Sequence, residues 1–382
     1  MGEGGGQGAA KARLGLSVGA GEGRIWGMTG AERLARQFHR LGLETPVLED
    51  LQGLPASTGV VIARADWVYD ARLIAALVAQ PGVLLVGPEG AALAAHVAGP
   101  QTGAAAQILE GRGGGSTPGL DLVRLDPAAL AYDEVLRKRE APVLEPLTAA
   151  NVRQVEARLF QGSYKGVTDI VTKHLWPVPA RIVTRWCAMA GVTPNQVTFA
   201  GFLLVIAAFA LFWTGQFGWG LVCAWIMTFL DTVDGKLARV TLTSSKLGNI
   251  FDHGIDLVHP PFWWWAWLVG LQHTRLALPH PALILTVVVG GYVAQRMAEG
   301  VFLKRYGIHM HAWRPFDSWF RLITARRNPN LLLLTATSLL GRPDVGLAAV
   351  ALWTALSLLV HLAQIAQAAA LPRARVTSWL AR

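Results

Sequence analysis

Four aspartates in the apolar half of the chain limit what it can fold into. Asp231, Asp234, Asp252 and Asp256 lie between hydrophobic segments on both sides. A carboxylate at membrane depth costs on the order of 3 kcal/mol, so four at ordered spacings require a compensating charge. Asp231, Asp234 and Ala238 are three and four residues apart and share one helix face, while Gly248, Asp252 and Asp256 recur every fourth residue and share a face of the next helix. Two helices joined by a short loop would bring both carboxylate pairs together. Ligands that are all oxygen suit a hard cation such as Mg2+ or Mn2+. Gly235, Ala238 and Gly248 leave room for a ligand against the backbone, and Arg239 offers a fork for phosphate. Metal, phosphate and a tight cleft together point to phosphoryl-type chemistry. The alternative, two polar helices with incidental acids, leaves the spacing unexplained.

The run D-x2-D-G-x2-A-R-x8-G-x3-D-x3-D is complete from Asp231 to Asp256, and it resembles the signature of the CDP-alcohol phosphotransferase (CDP-alcohol phosphatidyltransferase) family. The resemblance covers roughly Val167 to Ala370. It implies a homodimeric membrane enzyme with two divalent cations, Mg2+ or Mn2+, holding the pyrophosphate of a CDP-linked donor. Carried across, Asp231, Asp234 and Asp252 would be metal ligands, and Asp256 a further ligand or the catalytic base. Gly235, Ala238, Arg239 and Gly248 would receive the CDP group. An acceptor alcohol would attack the phosphate next to the donor's alcohol, and CMP would leave.

The chain has 382 residues, room for two domains. Hydrophobic residues make up 52% and charged residues 15%, which points to a membrane protein with a soluble part. Lys and Arg outnumber Asp and Glu by 34 to 25, an excess expected at the cytoplasmic ends of membrane helices. Scattered basic residues without a binding motif exclude a nucleic-acid partner. Cys187 and Cys223 give neither a disulfide framework nor a metal-ligand spacing. Residues 1–10 are glycine-rich, lack an apolar core and read as a disordered tail.

Residues 11–150 read as a soluble α/β domain. Leu14–Val18 is a strand, Thr29–Leu41 a helix with Leu34, Phe38 and Leu41 on one face and Arg33, Arg36 and Arg40 among the rest, and Gly59–Ala63 a buried strand ending near Asp66. Asp70–Val78 is a second helix, Val83–Val86 a strand, Gly111–Gly119 a loop and Leu120–Leu125 a last strand. This order resembles the sugar-nucleotidyltransferase fold. The stretch Ala20-Gly-Glu-Gly23-Arg24 stands where that family has its glycine-rich, arginine-bearing loop, and Asp66 stands for its metal-binding acid. The loop is one residue short, with no lysine in a Pro-Lys setting after it, which implies an inactive domain that aids assembly or regulation. A nucleotidyltransferase-like domain joined to this membrane domain is similar to the bifunctional inositol-phosphate cytidylyltransferase/di-inositol-phosphate-phosphate synthases. That likeness implies an inositol-type donor, with CDP-diacylglycerol the alternative.

Residues 126–165 read as a charged, helical connector, and the bounds drawn for connector and interfacial amphipathic helix together are 151–190. The charged stretch Asp133–Glu140 reads as solvent-facing. From Val167 to Ala190 apolar residues and Trp alternate with Lys173, Arg181 and Arg185, the pattern of an amphipathic helix in the membrane interface, broken at Pro177 and Pro179. A linker helix packed on the soluble domain is the other reading. Residues 191–371 are expected to hold six transmembrane helices, at 196–214, 217–239, 247–271 with a bend at Pro260-Pro261, 281–303, 329–340 and 345–370. Residues 372–382 form a tail. The basic loops then fall on one side, which puts motif, N-terminal domain and C-terminus on the cytoplasmic face of an inner or plasma membrane.

A second basic cluster follows helix 4. Arg321, Arg326 and Arg327 are candidates for the phosphate of a polyol-phosphate acceptor, or else anchors for lipid headgroups. His309 and His311 read as solvated, and the aromatic run Phe262–Trp267 as packing in the bilayer or at its interface. Two other functions are open to the same sequence. A non-enzymatic membrane scaffold or transporter would leave the aspartates unexplained, and a metal-dependent phosphohydrolase would need no acceptor.

Overall fold

The structure, a computed structural model, describes residues 11–46, 53–111, 120, 122–244 and 246–381. The tail at 1–10 and most of the loop Gly111–Gly119 lie outside them. The chain forms two compact units: residues 1–133, 140–163 and 240–242, and residues 134–139, 164–239 and 243–382.

The first unit is a mixed α/β layer. Strands β1 (Lys11–Val18), β2 (Thr58–Arg64), β4 (Val83–Val86), β5 (Ala92–Ala98) and β6 (Val123–Leu125) form one sheet in the order β1-β2-β5-β4-β6, while β3 (Trp67–Tyr69) pairs outside it with Leu144–Pro146. The pairs β1–β2 and β4–β6 are parallel, and β5 runs antiparallel to β2 and β4. Side chains of β2 alternate between the two faces. Val61 and Ala63 pack with α1 (Gly30–Arg40) and α2 (Ala71–Ala79), whereas Val60 and Ile62 pack with α3 (Thr102–Leu109). Thr29 starts α1 with a capping box: its hydroxyl accepts from Glu32 N at 3.2 Å, and the Glu32 carboxylate accepts from Thr29 N at 2.7 Å.

Three expectations for this unit change. Arg33, expected off the core face of α1, is buried. β5 and α3 were not anticipated, because their alanines at 92, 94, 95, 98 and 104–106 carry weak strand signal and little periodicity. Residues 126–165, read as a helical connector, hold one α-helix among the described residues, α4 (Val152–Gly162), and residues 134–139 group with the second unit.

The second unit is helical. Asp169 caps α5 (Ile170–His174), its Oδ1 accepting from Val171 N at 3.1 Å and Thr172 N at 3.0 Å. Helix α6 (Pro177–Met189) follows and exposes Val178 and Trp186. Thr193 and Pro194 open α7 (Pro194–Trp213) as cap and first helical residue. The unit continues with α8 (Phe217–Val240), α9 (Lys246–Gln272), α10 (Pro281–Leu285) leading through a π-helical turn, Thr286–Gly290, into α11 (Gly291–Tyr306), α12 (Pro315–Phe320), α13 (Arg327–Leu339) and α14 (Pro343–Ala369).

Three helical stretches among the described residues are long and apolar enough to cross a membrane: Pro194–Trp213, Pro281–Tyr306 and Pro343–Ala369. Leu203, Ile206, Leu352 and Leu359 face outward on them, as lipid-facing residues do. The chain is an integral membrane protein. Helices α8 and α9 match the others in length but carry the aspartates, and α13 has only 13 residues.

Trp263, Trp264 and Trp267 are buried in the helical core, while Phe262 and Trp265 are exposed, so the aromatic run is half interior packing. The buried indoles find acceptors: Trp263 Nε1 donates to Val205 O at 3.0 Å and Trp267 Nε1 to Pro343 O at 3.1 Å. A Cβ on Gly270 would lie 1.9 Å from Phe212 O, so glycine sets the close crossing of α7 and α9. Pro260 and Pro261 are inside α9, which continues through them.

Candidate active site

Helices α8 and α9 present the motif to one point. Arg327, the first residue of α13, donates from Nη2 to Asp231 Oδ2 at 2.6 Å and from Nη1 to Asp256 Oδ1 at 2.5 Å. One guanidinium therefore bridges carboxylates from two helices, so both face the same space. Asp234, one turn along from Asp231, is buried and accepts from Thr198 Oγ1 of α7 at 2.6 Å. The side chain of Asp252 lies outside the described residues. The donor set fits a hard divalent cation: the ligands are carboxylate oxygens, they converge, and the charge compensating them comes from a third helix. A cation bound between Asp231 and Asp256 would take the place of the guanidinium.

A cavity of about 370 Å³ opens at this corner, within the roughly 300–1,000 Å³ typical of ligand sites. Asp231, Gly235, Arg239 and Asp256 line one side, and Arg321, Arg326 and Arg327 also line the cavity. Ala238 and Gly248 are not among its lining residues. Arg327 thus stands apart from its expected companions, paired with the aspartates rather than beside Arg321 as a phosphate ligand.

The remaining lining is strongly cationic. Glu299 of α11 anchors it, accepting from Arg296 Nη2 at 2.7 Å, from Arg326 Nη2, and from His311 Nε2 at 3.2 Å. His311 is buried, not solvated as expected, and burial pushes its imidazole down to about 3, so it is neutral. Glu299, His311 and His361 offer atoms within 4.8 Å of one another, a spacing that suits a metal. Both oxygens of Glu299 already hold arginines, however, so the cluster acts as a brace for Arg296 and Arg326. Arg321 is half-buried, and its desolvation together with Arg326 holds its guanidinium well below the usual range. Burial raises the Asp169 carboxyl, but Arg321 and hydrogen bonds from Thr172 and Asn328 outweigh it and hold it below the usual carboxylate range.

Residues 191–372 match the CDP-alcohol phosphatidyltransferase family. The match takes in just under half of the chain. It contains Asp231, Asp256 and the arginines of α11 to α13, but not Arg137, Lys165 or Asp169. The chain is similar to cholinephosphotransferase 1 of Xenopus laevis, 33% identical over 144 residues, covering 33% of this chain and 33% of that protein. It is similar to the archaetidylinositol phosphate synthase of Pyrococcus horikoshii, 38% identical over 79 residues, covering 20% of this chain and 42% of that one. It is also similar to the phosphatidylinositol phosphate synthase of Mycobacteroides abscessus, 33% identical over 124 residues, covering 31% of this chain and 56% of that one. The matches thus span between about a third and just over half the length of these relatives.

Sequence reasoning missed several lining residues of this cavity. Arg296 was detectable, because it and Glu299 interrupt an apolar helix, and ionisable residues at membrane depth mark function. Lys236 lies over the Tyr164 ring at 3.3 Å. Asp169 and Asn328 hydrogen-bond each other at 3.0 Å although far apart in sequence. Arg137 belongs to the stretch expected to face solvent, and it lines the cavity instead.

Proposed function

We propose that this protein is a membrane CDP-alcohol phosphotransferase that moves a substituted phosphate from a CDP-linked donor to a phosphorylated polyol acceptor and releases CMP. One observation carries the reading: a single cavity joins a pair of converging aspartates to a wall of arginines. The first suits a metal-held pyrophosphate and the second a separate anionic group. Two of the relatives are named for making inositol phosphate lipids and one for choline. The arginine wall favours an acceptor of the first kind.

Asp231, Asp234, Asp252 and Asp256 would hold the divalent cations, Mg2+ or Mn2+ and two in number, with Gly235 and Arg239, which line the cavity, receiving the CDP group. When bound, the cations would polarise the phosphoryl oxygens and stabilise the departing CMP. Arg239 balances pyrophosphate charge. Arg321 and Arg326 orient the acceptor through its phosphate, and Glu299 keeps Arg326 aimed. The acceptor hydroxyl oxygen forms a new bond to the phosphorus that carries the donor's alcohol. Its proton passes to Asp256, and the bond from that phosphorus to the CMP oxygen breaks. Arg327, released from the carboxylates, is free to pair with phosphate.

The helical unit is read as six transmembrane helices behind an interfacial stretch, α5 and α6, whose exposed Val178 and Trp186 suit a lipid surface. The arginines of the α8 end, the α11–α12 region and the start of α13 all line one cavity, which supports basic ends gathered on a cytoplasmic face of an inner or plasma membrane. A homodimer in lipid is part of the same reading. The domain boundaries proposed are 11–150, 151–190, 191–371 and 372–382. The N-terminal unit is read as nucleotidyltransferase-like and inactive: Asp66 is closed by Arg64 at 2.9 and 2.5 Å, and Arg24 donates to Gly27 O, not to a substrate position.

The test is CMP release by purified protein in detergent with Mn2+ or Mg2+. CDP-diacylglycerol and CDP-inositol are offered separately, each with a panel of polyol phosphates and lipid alcohols. Acceptor-dependent CMP release is expected, strongest with a phosphorylated polyol. CMP formed equally without acceptor would make the protein a phosphohydrolase, and no CMP from any pair would leave a binding or scaffold role.

A further inference from the structure

Two cations of the cavity wall come from upstream of the family-matched segment. Arg137 and Lys165 both line the cavity, and both lie before residue 191. A local contact brings them together. Gly166 N donates to Leu136 O at 2.8 Å, and a Cβ on Gly166 would lie 2.4 Å from Arg137 O, so glycine is needed for the approach. Arg137 itself is held at φ 52°, a left-handed conformation that a side chain disfavours and that functional sites tolerate. Its Nε and the Nη1 of Arg321 are buried without a hydrogen-bond partner among the described residues. The charges nearby do not balance them. Arg327 is matched by Asp231 and Asp256, and Arg296 and Arg326 share Glu299. Arg321 is drawn to Asp169, which shares the cavity lining with Arg137 and Lys165 and is already engaged by Thr172 and Asn328.

We propose that Arg137 and Lys165, with Arg321, form a subsite for a phosphomonoester dianion, so that the connector completes the acceptor site from outside the family domain. Unpaired cations in a cavity with buried, orphaned N–H groups need an anion that offers several acceptor oxygens, as a phosphomonoester does. The assignment to the acceptor rests on the proposed reaction, but the anion subsite itself does not.

Two readouts on the full-length protein in detergent keep these apart. The first is calorimetric titration with inorganic phosphate of the wild type and of the variants Arg137→Gln, Lys165→Gln and Gly166→Ala. Phosphate binding is expected to weaken at least tenfold in each glutamine variant and in Gly166→Ala, with Lys165→Arg restoring it. The second is steady-state kinetics: KM for a polyol-phosphate acceptor is expected to rise at least tenfold, with KM for the CDP donor unchanged. Unaltered phosphate binding in Arg137→Gln and Lys165→Gln overturns the subsite. A rise in donor KM alone overturns its assignment to the acceptor. Altered phosphate binding in a protein that releases no CMP would retain the subsite and remove the reaction.

Discussion

Each unit of the molecule holds an aspartate site bound by arginine, and the two are closed in different ways. In the α/β unit Asp66 is held by Arg64, two residues away on the same strand end, in a bidentate pair at 2.9 and 2.5 Å. In the helical unit Asp231 and Asp256 are held by Arg327 from another helix, and the arginine links two carboxylates that would otherwise repel. A local pair satisfies a single acid and leaves it little to offer. A bridging guanidinium marks a place where two acids were brought together and one removable cation now stands. Under the proposed reading, the acids that would take a metal are those whose neutralising partner comes from a separate element.

The largest expected effect separates the two sites. Replacing Asp256 with Asn should lower acceptor-dependent CMP release by about a thousandfold, the scale of losing a positioned base or metal ligand, as read by radiolabelled CMP formation. A variant with near-normal turnover would remove Asp256 from the chemistry. Next, Arg321→Gln should raise acceptor KM by about 10- to 100-fold, the worth of one charge-assisted hydrogen bond to a phosphate, while kcat changes less. A loss in kcat with unchanged KM would place Arg321 with the reacting groups instead.

Smaller still is a pH effect on the cationic wall. Burial, reinforced by Arg137 and Arg239, pulls the Lys165 ammonium down to about 8. Below that value the side chain is charged and binds an anion, and above it the charge is lost, so acceptor affinity should fall several-fold, on the order of one charge-assisted contact, as pH rises through 8. The Lys165→Arg variant should flatten the profile, which acceptor KM measured across that window would reveal. Last, Asp66→Asn should leave CMP release within about twofold, the ordinary outcome for a site remote from the chemistry. A large loss would give the α/β unit a part in the reaction.

What was legible in the sequence follows the same division. The aspartate corner could be read because Asp231, Asp234 and Asp256 belong to two adjoining helices, where 3.6-residue periodicity converts spacing into shared faces. Strands β1, β2 and β4 and helices α1 and α2 could be read from their apolar runs and the Thr29 cap. The cationic wall could be read only in part. Arg321 and Arg326 stand in a visible basic cluster, but Arg137 and Lys165 come from separate segments, and nothing local distinguishes a half-buried Arg137 from the exposed charges around it. Gly166 carried the signal, but its meaning depends on the carbonyl of Arg137 arriving beside it. Likewise β5 and α3 are built of alanine, which packs well and announces little.

The most direct test of the account is binding of Mn2+ to the full-length protein, measured as loss of the free-ion signal in electron paramagnetic resonance. The account predicts binding by the wild type, its loss in Asp231→Asn, and its retention in Asp66→Asn. Binding that survives in Asp231→Asn and disappears in Asp66→Asn would contradict it, because the metal would then belong to the α/β unit and the bridged aspartates would be only an ion pair.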